Sequence, residues 1–143
     1  MTKDEIIAIA VELVGARKPF VLGTVDAAGQ PQMRWMGDLL REEPLVIWMA
    51  GGAQSRKVVQ LQAHPQAQLI LQAPDFSTVV TLSGRCETCT DAASKQKVWD
   101  GIPGLARHSS GPDDPKMAAL RFVTERVEVL QMAAGTEPLV AEL

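Results

Sequence analysis

Between residues 20 and 132 the chain is cut into short β-rich runs bounded by turn residues, and one long run carries a glycine, Gly84, in its interior. Many short strands with hairpin-type connections leave few architectures open, chiefly antiparallel sandwiches and barrels. The runs are 20–25, 32–40, 44–49, 68–72, 77–88, 117–123 and 126–132. Asp26-Ala27-Ala28-Gly29 is a turn signal, so the first two runs should form a hairpin. Gly51-Gly52 ends the third, and Pro74-Asp75 separates the fourth from the fifth. Gly84 predicts a bulge or sharp bend, as small barrels need at their corners. Thr124-Glu125 reads as the connection between the last two runs, and the residues after them as a loose tail.

Three helices decorate this pattern. Residues 2–16 open with Thr2 and Glu5 at capping-box spacing, and Ile6, Ile7, Ile9, Ala10, Leu13 and Val14 give a broad apolar face. Gly15 and Pro19 close that helix. Residues 55–63 form a second, stopping before Pro65. Residues 91–99 form a third, with Asp91 as N-cap. Residues 101–115 are a polar loop. The expected class is mainly β with peripheral helices, an antiparallel barrel in a single domain over residues 1–143.

With 46% hydrophobic residues the chain can bury a core without disulfides or metals. A net charge of −3 argues against a general nucleic-acid binder. No secretory leader or membrane-length apolar run is read, so no membrane partner is expected and the cytoplasm is the expected location.

Against that acidic average, Gly51-Gly52-Ala53-Gln54-Ser55-Arg56-Lys57 stands out. It joins a strand to a helix, where glycines admit a ligand close to the backbone and unpaired N–H groups carry partial positive charge. Arg56 and Lys57 oppose the helix dipole there, at about 0.3–1 kcal/mol per charge. A bound anion reverses the sign of that term, and Ser55 adds a hydroxyl donor. Two readings stand: a solvated basic turn, or a phosphate site that is not a P-loop. Arg34, mid-strand and on the face opposite Met33 and Trp35, is either an outward arginine or a third ligand of the same anion.

The order of "TVDAAGQPQMRWMG", "SRKVVQLQAHPQAQLIL", "VVTLSGRCE", a helix containing Trp99 and "GPDDPKMAALRFVTERVEV" resembles the pyridoxamine 5'-phosphate oxidase-like FMN-binding split-barrel superfamily, nearest its general stress protein branch. The resemblance covers nearly the whole chain. It implies a split barrel and a homodimeric flavoprotein with two FMN sites at the subunit interface. Ser55 belongs to the matching motif, and the residues matching Arg56 and Lys57 hold the FMN phosphate, supported by Arg34. The backbone around Trp35 and Met36 would face the isoalloxazine ring, with Trp48 and Met49 near another wall. The chain departs from the oxidase at Gly51, where threonine is common. It departs again at Val79 and Leu130, which align with a glutamine and a tryptophan. Leu39 aligns near the oxidase's substrate-binding lysine, and the basic C-terminal substrate motif is missing. The resemblance therefore implies an FMN-dependent oxidoreductase on a small-molecule substrate or redox partner, and not a true pyridoxamine phosphate oxidase. Other readings stay open: a non-catalytic flavin-binding or stress-response module, or a related barrel using F420 or haem.

Cys86 and Cys89 point to opposite faces of a strand, which suits neither a disulfide nor a shared metal. No metal site is expected. His64 suits a cap or surface role, and His108 lies in the polar loop with no serine-histidine-acid order around it. Trp99 is expected to pack its helix on the barrel. No general acid or base stands out, which fits a cofactor that carries the chemistry itself.

Overall fold

The computed structural model describes residues 1–16, 19–135 and 137–143. Helix α1 (Lys3–Gly15) begins at the expected capping box. The Glu5 N–H donates to Thr2 Oγ1 at 3.2 Å, and the Thr2 N–H to Glu5 Oε2 at 3.3 Å. Ile6, Ala10 and Val14, four residues apart on one face, are buried, with Ile7, Ile9 and Leu13 flanking them.

Strands β1 (Phe20–Val25) and β2 (Pro31–Met36) form the expected hairpin, Phe20 opposite Met36 and Val25 opposite Pro31. Gly29, at φ +83°, makes the turn. The chain continues through β3 (Leu40–Glu42), β4 (Val46–Gly52), α2 (Arg56–Ala63), β5 (Gln66–Gln72) and β6 (Thr78–Cys89). It ends with α3 (Ala92–Gly101), a 3-10 turn (Pro103–Arg107), β7 (Met117–Gln131), a second 3-10 turn (Met132–Ala134) and β8 (Leu139–Glu142).

All eight strands belong to one antiparallel sheet, ordered β2-β1-β5-β6-β7-β4-β3, with β8 also on β7. β6 and β7 pair along their whole length, from Thr78 opposite Gln131 to Cys89 opposite Ala119. β5 lies along the first part of β6, β4 along the first half of β7, and β8 along the second half of β7. The long pair is thus a spine shared by two halves, and the sheet does not close on itself among the described residues: a split barrel with peripheral helices. The larger core lies between the sheet and helices α1 and α2. A smaller one, with Trp48, Val98, Ile102, Leu105, Met117 and Ala119, lies under α3, and Trp99 packs against it.

Three readings of the sequence need correction. The run 32–40 is not one strand: β2 ends at Met36, Asp38 Oδ1 accepts the Leu39 N–H at 2.8 Å outside its ladder, and Leu40 starts the separate strand β3. The runs 117–123 and 126–132 are one strand. Ser83 faces Arg126 while Gly84 faces Thr124, so Glu125 is the extra residue of a bulge rather than part of a turn. The final residues are not a loose tail, because Leu139–Glu142 pairs with Val129–Arg126 and Ala141 is buried.

Candidate functional site

The loop from β4 to α2 brings together the residues singled out above. Ser55 is the N-cap of α2, but its hydroxyl makes no cap bond, and Ser55 Oγ is buried with no partner. The first turn of α2 contains no acid. A buried hydroxyl left unpartnered costs roughly 1–3 kcal/mol, a cost removed by any acceptor that reaches it.

Arg34 leaves β2 on the side opposite Met33 and Trp35, which are 76% and 68% exposed. Its guanidinium turns toward α2. Nη1 donates to Thr24 Oγ1 at 2.7 Å and to the Leu22 and Gln32 carbonyls at 3.1 and 3.2 Å. Nη2 donates to Gln60 Oε1 at 3.0 Å. Thr24, itself buried, donates to the same Gln60 oxygen at 2.6 Å. Arg56 Nη2 donates to Gln32 Oε1 at 3.3 Å, and Gln32 in turn donates to Asp26 Oδ2 at 3.0 Å. All of these partners of Arg34 and Arg56 are neutral.

Among the described residues no carboxylate lies within 4.0 Å of Arg34, Arg56 or Lys57. The three cations are close enough to perturb one another. Burial, and then the Arg56 charge, lower the pKa of the Arg34 guanidinium. Burial, and then the Arg34 charge, lower that of the Lys57 ammonium. Both shifts disfavour the charged form. Lys57 lies across Gly51, where a Cβ would stand 2.7 Å from its Cε and 3.3 Å from its Nζ. The glycine that departs from the family pattern is therefore the space through which this lysine passes.

Lys57 lines a cavity of about 220 Å³ with Ala50, Gly51, Gly52, His108 and Lys116. Met36 lines an adjoining one of about 340 Å³, which shares Ala50, Leu105 and His108 with the first. Trp48 and Met49 face neither cavity. Met49 is in the main core, while Trp48 is under α3, its Nε1 donating to Glu42 Oε1 at 2.6 Å and Lys97 Nζ 5.1 Å from its ring centroid. The β4 wall is made instead by Ala50, Gly51 and Gly52. Trp35 lies on the exposed outer face of the sheet. Gln60 and Thr24 reach Arg34, and Arg107 and His108 reach the adjoining cavity, only through long-range contacts, and local sequence carries no signal for them.

Elsewhere, Cys86 is buried, which pushes its thiol up to about 12, and Cys89 is half-buried with its pKa also raised by burial. Neither is activated for redox chemistry. A larger cleft of about 680 Å³ mixes charges of both signs, Arg85 and Arg121 with Glu87 and Glu125, and is lined by none of Arg34, Ser55, Arg56 and Lys57. No described helix is long and apolar enough to cross a membrane.

Comparisons with known proteins agree with this architecture. General stress protein 26 from Bacillus anthracis superposes with a TM-score of 0.77 at 20% identity, covering 100% of both chains. A Clostridium acetobutylicum protein related to general stress protein 26, described as of the pyridoxinephosphate oxidase family, gives 0.79 at 21% identity, covering 100% of this chain and 97% of that one. A NimC/NimA family protein from C. acetobutylicum gives 0.79 at 17%, covering 96% and 93%. At these identities the likeness is one of fold. A search of curated proteins gave no match. The family model described as pyridoxamine 5'-phosphate oxidase, however, matches residues 8–131, from within α1 to the last residue of β7, and the chain belongs to that family.

Proposed function

We propose that the protein binds FMN by its phosphate at Arg34, Ser55, Arg56 and Lys57 and acts as a flavin-dependent oxidoreductase on a small-molecule substrate. Family membership supports flavin binding in general terms. The observation that carries the finer reading is the cluster itself: three cations with no carboxylate within 4.0 Å among the described residues, Asp26 reaching Arg56 only through Gln32 and at longer range, beside a buried hydroxyl without a partner. Such a set costs energy when empty and is satisfied by a dianion with several acceptor oxygens. When bound, FMN supplies hydride and electron exchange at its ring, and the protein's part is to hold and orient it. Gln60 and Thr24 fix the Arg34 guanidinium, and Gln32 steadies Arg56, so the donors are placed in advance. The cavity beside Lys57 gives the ring a place along the β4 backbone.

The reading excludes oxidation of pyridoxamine phosphate. Leu39 is only 1% exposed, so even its position is withdrawn from any substrate. Val79 and Leu130 are cross-strand partners, so the two departures fall on one place and make it apolar.

We further propose a homodimer through the outer face of the sheet. Trp35, Val21, Ile70, Thr81, Glu128 and Val140 form one continuous cross-strand row, of which Trp35, Ile70 and Val140 are at least 40% exposed. Thr81 and Glu128 interrupt the row, so Trp35 and Ile70 are the apolar anchors such a contact would use.

Titration of the purified protein with FMN, followed by flavin fluorescence, tests the assignment. Binding at micromolar affinity or better is expected, with loss of about 10- to 100-fold for each cation removed. A wild type that does not bind, or an Arg56→Ala/Lys57→Ala variant that binds equally well, sinks it. The absorption spectrum separates FMN from a deazaflavin or haem.

A further inference from the structure

The cleft beside the phosphate grip has a second positive end that the grip does not use. It lies in the cavity of about 340 Å³ lined by Met36, Gly37, Asp38, Ala50 and the 3-10 turn. Arg107 ends that turn and His108 caps it, the His108 N–H donating to the Leu105 carbonyl at 3.0 Å. Leu105 is anchored in the smaller core, so the backbone of the turn is fixed while the Arg107 and His108 side chains stand open. The next residue is tied down as well: Ser109 Oγ donates to Asp114 Oδ2 at 2.9 Å. Asp114 also accepts the Ser110 and Lys116 N–H groups, and these bonds lower its pKa to about 2.

Arg107 has no carboxylate within 4.0 Å among the described residues. Asp38 is the single acid in the lining, and its Oδ1 already accepts the Leu39 N–H. The remaining walls, Met36, Ala50, Ile102 and Leu105, are apolar. A guanidinium grips a carboxylate through two parallel bonds, and a neighbouring imidazole supplies a further donor. The apolar walls suit a hydrocarbon or aromatic body. Asp38 across the cleft disfavours a second negative charge, which selects a monoanion over a phosphate ester.

We propose that this cleft binds a small organic acid, an apolar body bearing one carboxylate, with Arg107 holding the carboxylate and His108 at the junction with the cavity beside Lys57. As the substrate site of a redox enzyme it rests on the FMN reading; as a binding site it does not.

Benzoate is the probe. Titrated into the protein as purified and followed by ¹H–¹⁵N shifts, it should saturate in the millimolar range or tighter, with the largest shifts at residues 104–109. Arg107→Ala should weaken benzoate at least tenfold while leaving FMN affinity within twofold. Arg107→Lys should restore part of the loss, and benzyl alcohol should bind far more weakly than benzoate. Absence of saturable binding, shifts centred on 55–58, or equal affinity in Arg107→Ala and His108→Ala overturns the proposal. Benzoate binding without FMN binding upholds this site and removes the flavin assignment; FMN binding without benzoate binding does the reverse.

Discussion

Ser55 separates two explanations of the β4–α2 loop. As an ordinary N-cap, its loss would cost about 1 kcal/mol of stability. Its hydroxyl bonds to nothing and is buried, so Ser55→Ala should leave thermal stability unchanged or slightly higher without ligand, and weaken FMN several-fold. A melting curve and an FMN titration on one variant read both effects, and a clear loss of apo stability would make Ser55 a structural cap. Lys57 gives the same site a pH dependence. Its pKa is lowered in the folded apo protein, so over the interval below about 10.5 the unfolded chain binds more protons and apo stability rises with pH. Phosphate affinity moves the opposite way, falling as Lys57 deprotonates, from a pH below the ordinary lysine range. FMN titrations from pH 7 to 10 should show that decline, and Lys57→Arg should push it to higher pH. The basic triplet was legible in sequence because cations at a helix start conflict with a local rule. The neutral brace of Thr24 and Gln60 was not, since nothing near Arg34 in sequence shows that α2 packs beside β2.

Gly84 shows how far a single residue governs an element. A Cβ there would sit 2.0 Å from the Val123 carbonyl oxygen and 2.9 Å from its carbon, both backbone atoms of the neighbouring strand. The obstacle cannot swing aside. Gly84→Ala should therefore cost at least about 2 kcal/mol, read as a drop in the denaturation midpoint. A loss below half that value would mean β7 moves freely at the bulge. The glycine predicted the irregularity, but local sequence placed the break on the wrong strand. Thr124-Glu125 interrupts the apolar run with polar residues, yet Thr124 is 5% exposed and its Oγ1 donates to the Leu45 carbonyl at 2.7 Å. That bond spans 79 residues of sequence and satisfies a polar side chain inside the continuous strand β7. The same limit hid β8, whose four residues are too few to signal a strand until β7 offers them an edge.

At the scale of the molecule, α3 covers the outer face of the sheet only around β4 and the first part of β7, and on the exposed remainder Trp35 is the most prominent apolar anchor beside Met33. Static light scattering should give the mass of two chains, and Trp35→Asp should shift it toward one. If FMN affinity falls in parallel, the cofactor site is shared between protomers; a wild-type monomer with full FMN affinity would place the whole site in one chain. The barrel class was readable from the number and spacing of strands. The unclosed edge was not, because strand order depends on pairings such as β1 with β5, which lie far apart in sequence.

The cluster of Arg34, Arg56 and Lys57 also bears on how the protein is handled. Inorganic phosphate offers the same oxygens as a phosphate monoester, so a phosphate buffer would begin to fill the grip before any cofactor is added. Its presence would raise the melting temperature, with the logarithm of its concentration once that exceeds its dissociation constant, while chloride of equal ionic strength would act mainly by screening. Reconstitution in phosphate would then measure an exchange of anions, and the same chain would look a weaker flavin binder than in a buffer of neutral or cationic amines.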